Sequence, residues 1–127
     1  MSEARASHLV YGEKGEEIAE AYLVARGWTI LARRYRCKGG ELDLAATKDD
    51  VLALVEVKAR TTHEDDGFGP LDAVTPDKLR KFVTAARWFL AEHESELGEF
   101  FPRLDVILVE GDGVVEHLED AFEARGG

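Results

Sequence analysis

Residues 51–59, VLALVEVKA, are apolar on both alternating faces except for Glu56 and Lys58. A strand that buries both faces belongs in the middle of a sheet covered on two sides. Ionisable groups in such a strand are costly unless they are paired or meet a cation. The preceding stretch, residues 41–46, alternates: Leu42, Leu44 and Ala46 share one face, and Glu41 and Asp43 share the other. A polar turn, Lys48-Asp49-Asp50, separates the two stretches and brings an acid onto each of two neighbouring strands. A Glu56–Lys58 ion pair, or a place at a sheet edge, accounts for one such charge. It does not account for a second carboxylate close by, because two carboxylates repel unless a cation or a proton lies between them. Ligands that are all oxygen suit Mg2+ or Mn2+, which keep several waters and share a substrate phosphate. A lysine beside such an ion can ease the deprotonation of an attacking water or neutralise charge in the transition state.

The remaining chain supplies the layers. Residues 13–26 read as a helix with Ile18, Ala19, Tyr22 and Leu23 on its apolar stripe and Gly27 as its stop. Glu13, Glu17 and Glu20 fall on its solvent side, whereas Glu16 sits at the edge of the stripe. Residues 28–36 read as a first strand, closed by the Lys38-Gly39-Gly40 turn, and residues 61–74 as a mobile loop. Thr75 and Pro76 open a second helix with Leu79, Phe82, Val83, Ala86, Phe89 and Leu90 as its stripe. Residues 104–109 form a further strand, and residues 114–118 pair with it as a hairpin across Gly111-Asp112-Gly113. Trp28, Tyr35, Trp88 and Phe89 are read as core. The order predicts an α/β sandwich, α-β-β-β-α-β, with a central mixed sheet flanked by helices. At 127 residues one domain is expected, spanning 1–127 with its core over about 12–118.

No apolar run is long enough to span a membrane and the first nine residues show no secretory pattern, so the expected location is cytoplasmic. Cys37 is the only cysteine, which excludes an internal disulfide and a zinc site built from thiolates of this chain. The net charge of −10 opposes phosphate binding, but its distribution does not. Residues 88–127 carry eleven acids against two bases, whereas residues 28–60 carry seven bases against five acids. Strand alternation puts Arg34, Arg36 and Lys38, rather than Arg33, on one side to meet phosphates, with Arg60 and Lys78 as further candidates. Glu41, at a strand start, reads as solvated, and His63 as surface.

At these residues the sequence resembles a known superfamily. GELDLAA followed by VEVKAR resembles the motif of PD-(D/E)xK phosphodiesterases, the restriction-endonuclease-like superfamily that includes archaeal Holliday-junction resolvases. More closely, GEKGEEIAEAYLVARGW, RYRCKGGELDLAA, LVEVKAR and FGPLDAVTPDKLRKF together resemble the bacterial YraN-like family of endonuclease-like proteins, over residues 12–105. The resemblance implies a restriction-endonuclease-like fold and a metal-dependent DNA endonuclease, with branched or damaged DNA as substrate. It assigns the motif aspartate to Asp43, the motif acid to Glu56, the motif lysine to Lys58 and a first-helix glutamate to Glu16. It also implies that the backbone carbonyl of Val57 joins the metal shell, while Leu42 stands where the superfamily motif has proline. A DNA-binding module of the same fold with little turnover, and a protein that binds partners through its acidic C-terminal third, are the alternative readings. Monomer and homodimer both stay open.

Overall fold

The computed structural model describes residues 3–60 and 75–122; the segment expected to be a loop, with His63, lies outside the described residues. Helix α1 (Glu3–Ala25) leads into strands β1 (Thr29–Cys37), β2 (Gly40–Lys48) and β3 (Val51–Arg60). Helix α2 (Pro76–Glu92) and a short α3 (Glu94–Leu97) follow, then β4 (Phe101–Glu110) and β5 (Gly113–Leu118). The five strands form one sheet in the order β1-β2-β3-β4-β5, so β3 is central, as its two apolar faces require. β1, β2 and β3 pair antiparallel, β3 and β4 run parallel, and β5 returns antiparallel to β4. The parallel step is possible because the chain crosses over through α2 and α3 between β3 and β4. This is the mixed, helix-flanked sheet expected from the sequence, compatible with a restriction-endonuclease-like fold.

Helices α1 and α2 each cover one face of the sheet. Ala19, Leu23 and Trp28 pack with Leu44, Ala46, Ala53, Val55, Ile107 and Val109 on the first face. Phe82, Ala85, Ala86 and Phe89 pack with Leu42, Ala45, Leu52 and Leu54 on the second. Strand β3 therefore alternates strictly, Ala53 and Val55 towards α1, Leu52 and Leu54 towards α2. Thr75 caps α2 as expected, its Oγ1 accepting from the Lys78 N–H at 3.2 Å, with Pro76 in the first turn. Two expectations are corrected here. α1 begins at Glu3, well before residue 13, because nothing in residues 3–11 breaks a helix. Trp88 is not core but 51% exposed, since the buried stripe runs through Ala85 and Phe89 and the neighbouring position turns outward.

The β1–β2 turn is seated directly on α2. A Cβ added at Gly40 would stand 2.3 Å from the Lys81 carbonyl oxygen and 2.8 Å from the Ala85 nitrogen, both backbone atoms that cannot swing aside. Gly40→Ala should therefore cost about 2–3 kcal/mol by forcing hairpin and helix apart. Gly113→Ala, whose Cβ would meet nothing within 4 Å, is the control. Urea denaturation midpoints should fall for the first and hold for the second; equal midpoints would contradict this packing.

At the far edge of the sheet a fully buried carboxylate ties three elements together. Asp105 of β4 accepts from Arg103 Nε and Nη2, both at 2.9 Å, from His117 Nε2 of β5 at 2.8 Å, and from the Asp120 N–H at 3.0 Å. Because a carboxylate only accepts, His117 carries a proton on Nε2, and its Nδ1 is hydrogen-bonded to the Tyr22 hydroxyl of α1 at 3.1 Å. Burial pushes the Asp105 pKa up, but the bonds from His117, Arg103 and the Asp120 N–H outweigh it and hold the carboxyl below its ordinary value.

Candidate active site

Glu56 and Lys58 continue the parity of Leu52 and Leu54, so they lie on the α2 face of β3, in line with the first turn of α2. The β2–β3 ladder ends at the Leu44–Val55 pair. One rung further, Asp43 Oδ2 accepts from the Val57 N–H at 2.7 Å, a side chain taking the place of a backbone acceptor where the strands part. In an antiparallel ladder a residue's N–H and C=O face the same neighbour, so the Val57 carbonyl faces this opening too.

The parting of the strands overturns part of the expected alternation. Leu42 was expected beside Leu44 and Ala46, yet it packs under α2 while they pack under α1. Strand β1 is distorted at the matching rung without losing register; its register shift falls earlier, between Ile30 and Ala32. Arg33 pairs with Leu44 and Tyr35 with Leu42, and between them Arg34 adopts a left-handed backbone, φ 51°. The expected separation of Arg34, Arg36 and Lys38 from Arg33 fails for the same reason. Arg33 and Arg34 both reach α1, Arg33 Nε and Nη2 each 2.6 Å from the Glu20 carboxylate and Arg34 Nε 2.8 Å from Glu16 Oε1. Arg36 stands 3.5 Å from Glu41, both exposed, and Lys38 is exposed in the turn between β1 and β2. The Arg60 side chain lies outside the described residues.

Asp43 and Glu56 are close enough to share a proton. Burial first, and then the Glu56 carboxylate, push the Asp43 pKa up to about 9 against the pull of the Val57 N–H, and the charge of Glu16 adds to the rise. Glu56 is also raised, by burial, against the Asp43 hydrogen bond and the charges of Lys58 and Lys78. At neutral pH Asp43, with its pKa near 9, keeps its proton and faces Glu56 as a donor. Lys58 is half-buried beside it, and burial together with the neighbouring Lys78 ammonium holds its pKa below the usual lysine value. The structure thus brings together Asp43, Glu56, Lys58 and Lys78, with Glu16 acting on Asp43 from α1.

Among the described residues no three acid, histidine or cysteine side chains stand together as a ready metal cage. The donor set of two carboxylates and a strand carbonyl fits Mg2+, which takes one or two carboxylates and fills the rest of its octahedron with water and phosphate. A cation between two close carboxylates would relieve the same repulsion that raises their pKa values. Two features of the neighbourhood had no signal in the sequence reading: Arg34 as counter-ion to Glu16, and the local distortion of β1 and β2 at one rung.

Among the described residues no helix is long and apolar enough to cross a membrane. A family model described as "Uncharacterised protein family UPF0102" matches residues 15–109. The chain is 46% identical to a UPF0102 protein of Synechococcus sp. (strain JA-3-3Ab), with 94% of each chain covered. It is 42% identical to a UPF0102 protein of Desulfosudis oleivorans, with 91% of each covered. It is also 42% identical to a UPF0102 protein of Ralstonia pickettii, over 87% of this chain and 88% of that one.

Proposed function

The chain belongs to the UPF0102 (YraN-like) family, and from the site it carries we propose that it is a metal-dependent nuclease that hydrolyses phosphodiester bonds in DNA. The observation that carries this reading is the close, largely buried Asp43–Glu56 carboxyl pair beside Lys58, at the point where β2 and β3 separate. Asp43, Glu56 and the Val57 carbonyl would hold Mg2+ or Mn2+, which supplies charge for the scissile phosphate and lowers the pKa of a bound water. The Val57 N–H fixes one Asp43 oxygen, leaving the other for the ion. Lys58 stands next to the acids without being a plausible ligand, and its ammonium opposes the charge that builds on the phosphate during in-line attack. Lys78, from the first turn of α2, adds a second cation at the same point, while the exposed Arg36 and Lys38 extend the basic surface along the hairpin. Branched or damaged DNA is the substrate class to which the resemblance to junction resolvases points.

Labelled linear, nicked, flapped and four-way DNAs incubated with Mg2+, Mn2+ or chelator test the reading. Cleavage with either metal and none with chelator is expected, whereas binding without cleavage of any substrate would leave only a nucleic-acid-binding module. Lys58→Met should keep metal affinity and lose turnover by about a hundredfold or more, the usual scale for removing one transition-state charge partner. Calorimetry showing lost metal affinity in that variant would contradict the role given to Lys58.

A further inference from the structure

We propose that the Arg34–Glu16 ion pair is a latch on this site. Closed, it holds the Glu16 carboxylate away from Asp43 and Glu56; open, it lets Glu16 join them as a third carboxylate around a divalent cation. The proposal rests on the reading of Asp43 and Glu56 as cation ligands and adds a control to it.

Several observations converge on Arg34. Its backbone is left-handed, φ 51°, a conformation unfavourable for a residue with a long side chain. The other non-glycine residues with positive φ among those described, Asp49 and Asp120, lie in turns, where aspartate tolerates it; Arg34 lies inside a strand. By register it stands opposite Asp43, between the Arg33–Leu44 and Tyr35–Leu42 pairs. The distortion thus falls at the rung that carries the candidate ligand, and it delivers the guanidinium to an α1 acid whose charge reaches Asp43. Neighbouring Arg33 makes a bidentate pair with Glu20, one turn further along α1. The Arg34–Glu16 pair keeps a share of solvent, its side chains 38% and 22% exposed, and borders a cavity of about 180 Å³ lined also by Glu17, Glu20, Arg33 and Leu44. A half-open ion pair next to free volume can separate without dismantling the core.

The arrangement has a consequence that a purely structural ion pair lacks. Removing Arg34 should tighten cation binding, and only if Glu16 is present. The probe is Mn2+ alone, titrated into the full chain and followed by the paramagnetic resonance signal of the free aqueous ion. Arg34→Gly is the main variant, because glycine adopts the left-handed backbone without strain and so spares the hairpin; thermal melts confirm its fold. Arg34→Gly should bind Mn2+ about fivefold more tightly than wild type, the scale of one partly exposed ion pair. Glu16→Gln should bind no more tightly than wild type, the double variant should match Glu16→Gln, and Arg34→Lys should return towards wild type by restoring a cation for Glu16. Unchanged affinity in Arg34→Gly overturns the latch. So does tightening by the same factor in the Glu16→Gln background, which would be a plain loss of positive charge. Wild-type protein that takes up no Mn2+ overturns the metal site itself, and the latch with it.

Discussion

Asp43→Asn and Glu56→Gln should each abolish metal-dependent cleavage while raising the thermal stability of the metal-free protein at pH 8. The first effect follows from loss of a ligand charge. The second follows from the proton that Asp43 keeps. Asp43 keeps its proton up to about pH 9 when folded, whereas in the unfolded chain it ionises near 3.9. Between those values the unfolded state binds fewer protons than the folded one, so the Asp43 contribution to stability falls as pH rises through that window. Asparagine cannot ionise and still offers an oxygen to the Val57 N–H. Asp43→Asn should therefore be nearly free of this decline, and by pH 8 should melt about 4 °C or more above wild type, roughly 1 kcal/mol at this chain length. Melting curves from pH 5 to 9 in chelator measure it. Parallel declines in wild type and variant would mean that Asp43 does not keep that proton, and cleavage at the wild-type rate in Mg2+ would remove both residues from the site.

Asp105→Ala should lose about 3–5 kcal/mol at pH 7, the penalty for stripping one partner from a buried ion pair. Arg103 would keep only Glu119, 3.5 Å away, as an acidic partner among the contacts described, and His117 and the Asp120 N–H would lose their acceptor. The pH dependence runs opposite to that of Asp43. The Asp105 pKa is lowered in the fold, so its stabilisation is complete above the unfolded carboxylate value near 3.9 and is lost as pH falls through the lower folded value. The difference between wild type and variant in urea denaturation should thus be full at pH 7 and shrink in strong acid. A difference under about 0.5 kcal/mol at pH 7, the range of an ordinary surface change, would show that the network does not hold β4 and β5 to α1.

The central strand was legible because one physical rule governs it: a run apolar on both faces goes to the middle of a sheet, and a charge within it needs a reason. The same rule, applied to RLDVILVE, would have singled out Asp105 as it singled out Glu56. Its partners would have stayed hidden, because His117 and Tyr22 lie far away in sequence and only the sheet order brings them together. The Thr75–Pro76 cap was legible because capping is local. The faces of β1 and β2 were misread past residues 34 and 43 because period-2 alternation assumes an unbroken ladder. Nothing in RRYRC signals that Arg34 turns left-handed, since that conformation is fixed by tertiary contacts rather than by intrinsic preference. Asp43 lies next to Glu56, although the alternation used to orient it ends at that residue.

A divalent cation that enters between Asp43 and Glu56 must displace the proton that Asp43 keeps. Calorimetric titration of the metal-free protein with Mn2+ at pH 7, in two buffers of different ionisation enthalpy, reads that displacement directly. Binding with release of about one proton per ion is the predicted result, with both uptake and release lost in Asp43→Asn. No binding, or binding that releases no proton and survives Asp43→Asn, would contradict the assignment of this pair as the seat of the metal.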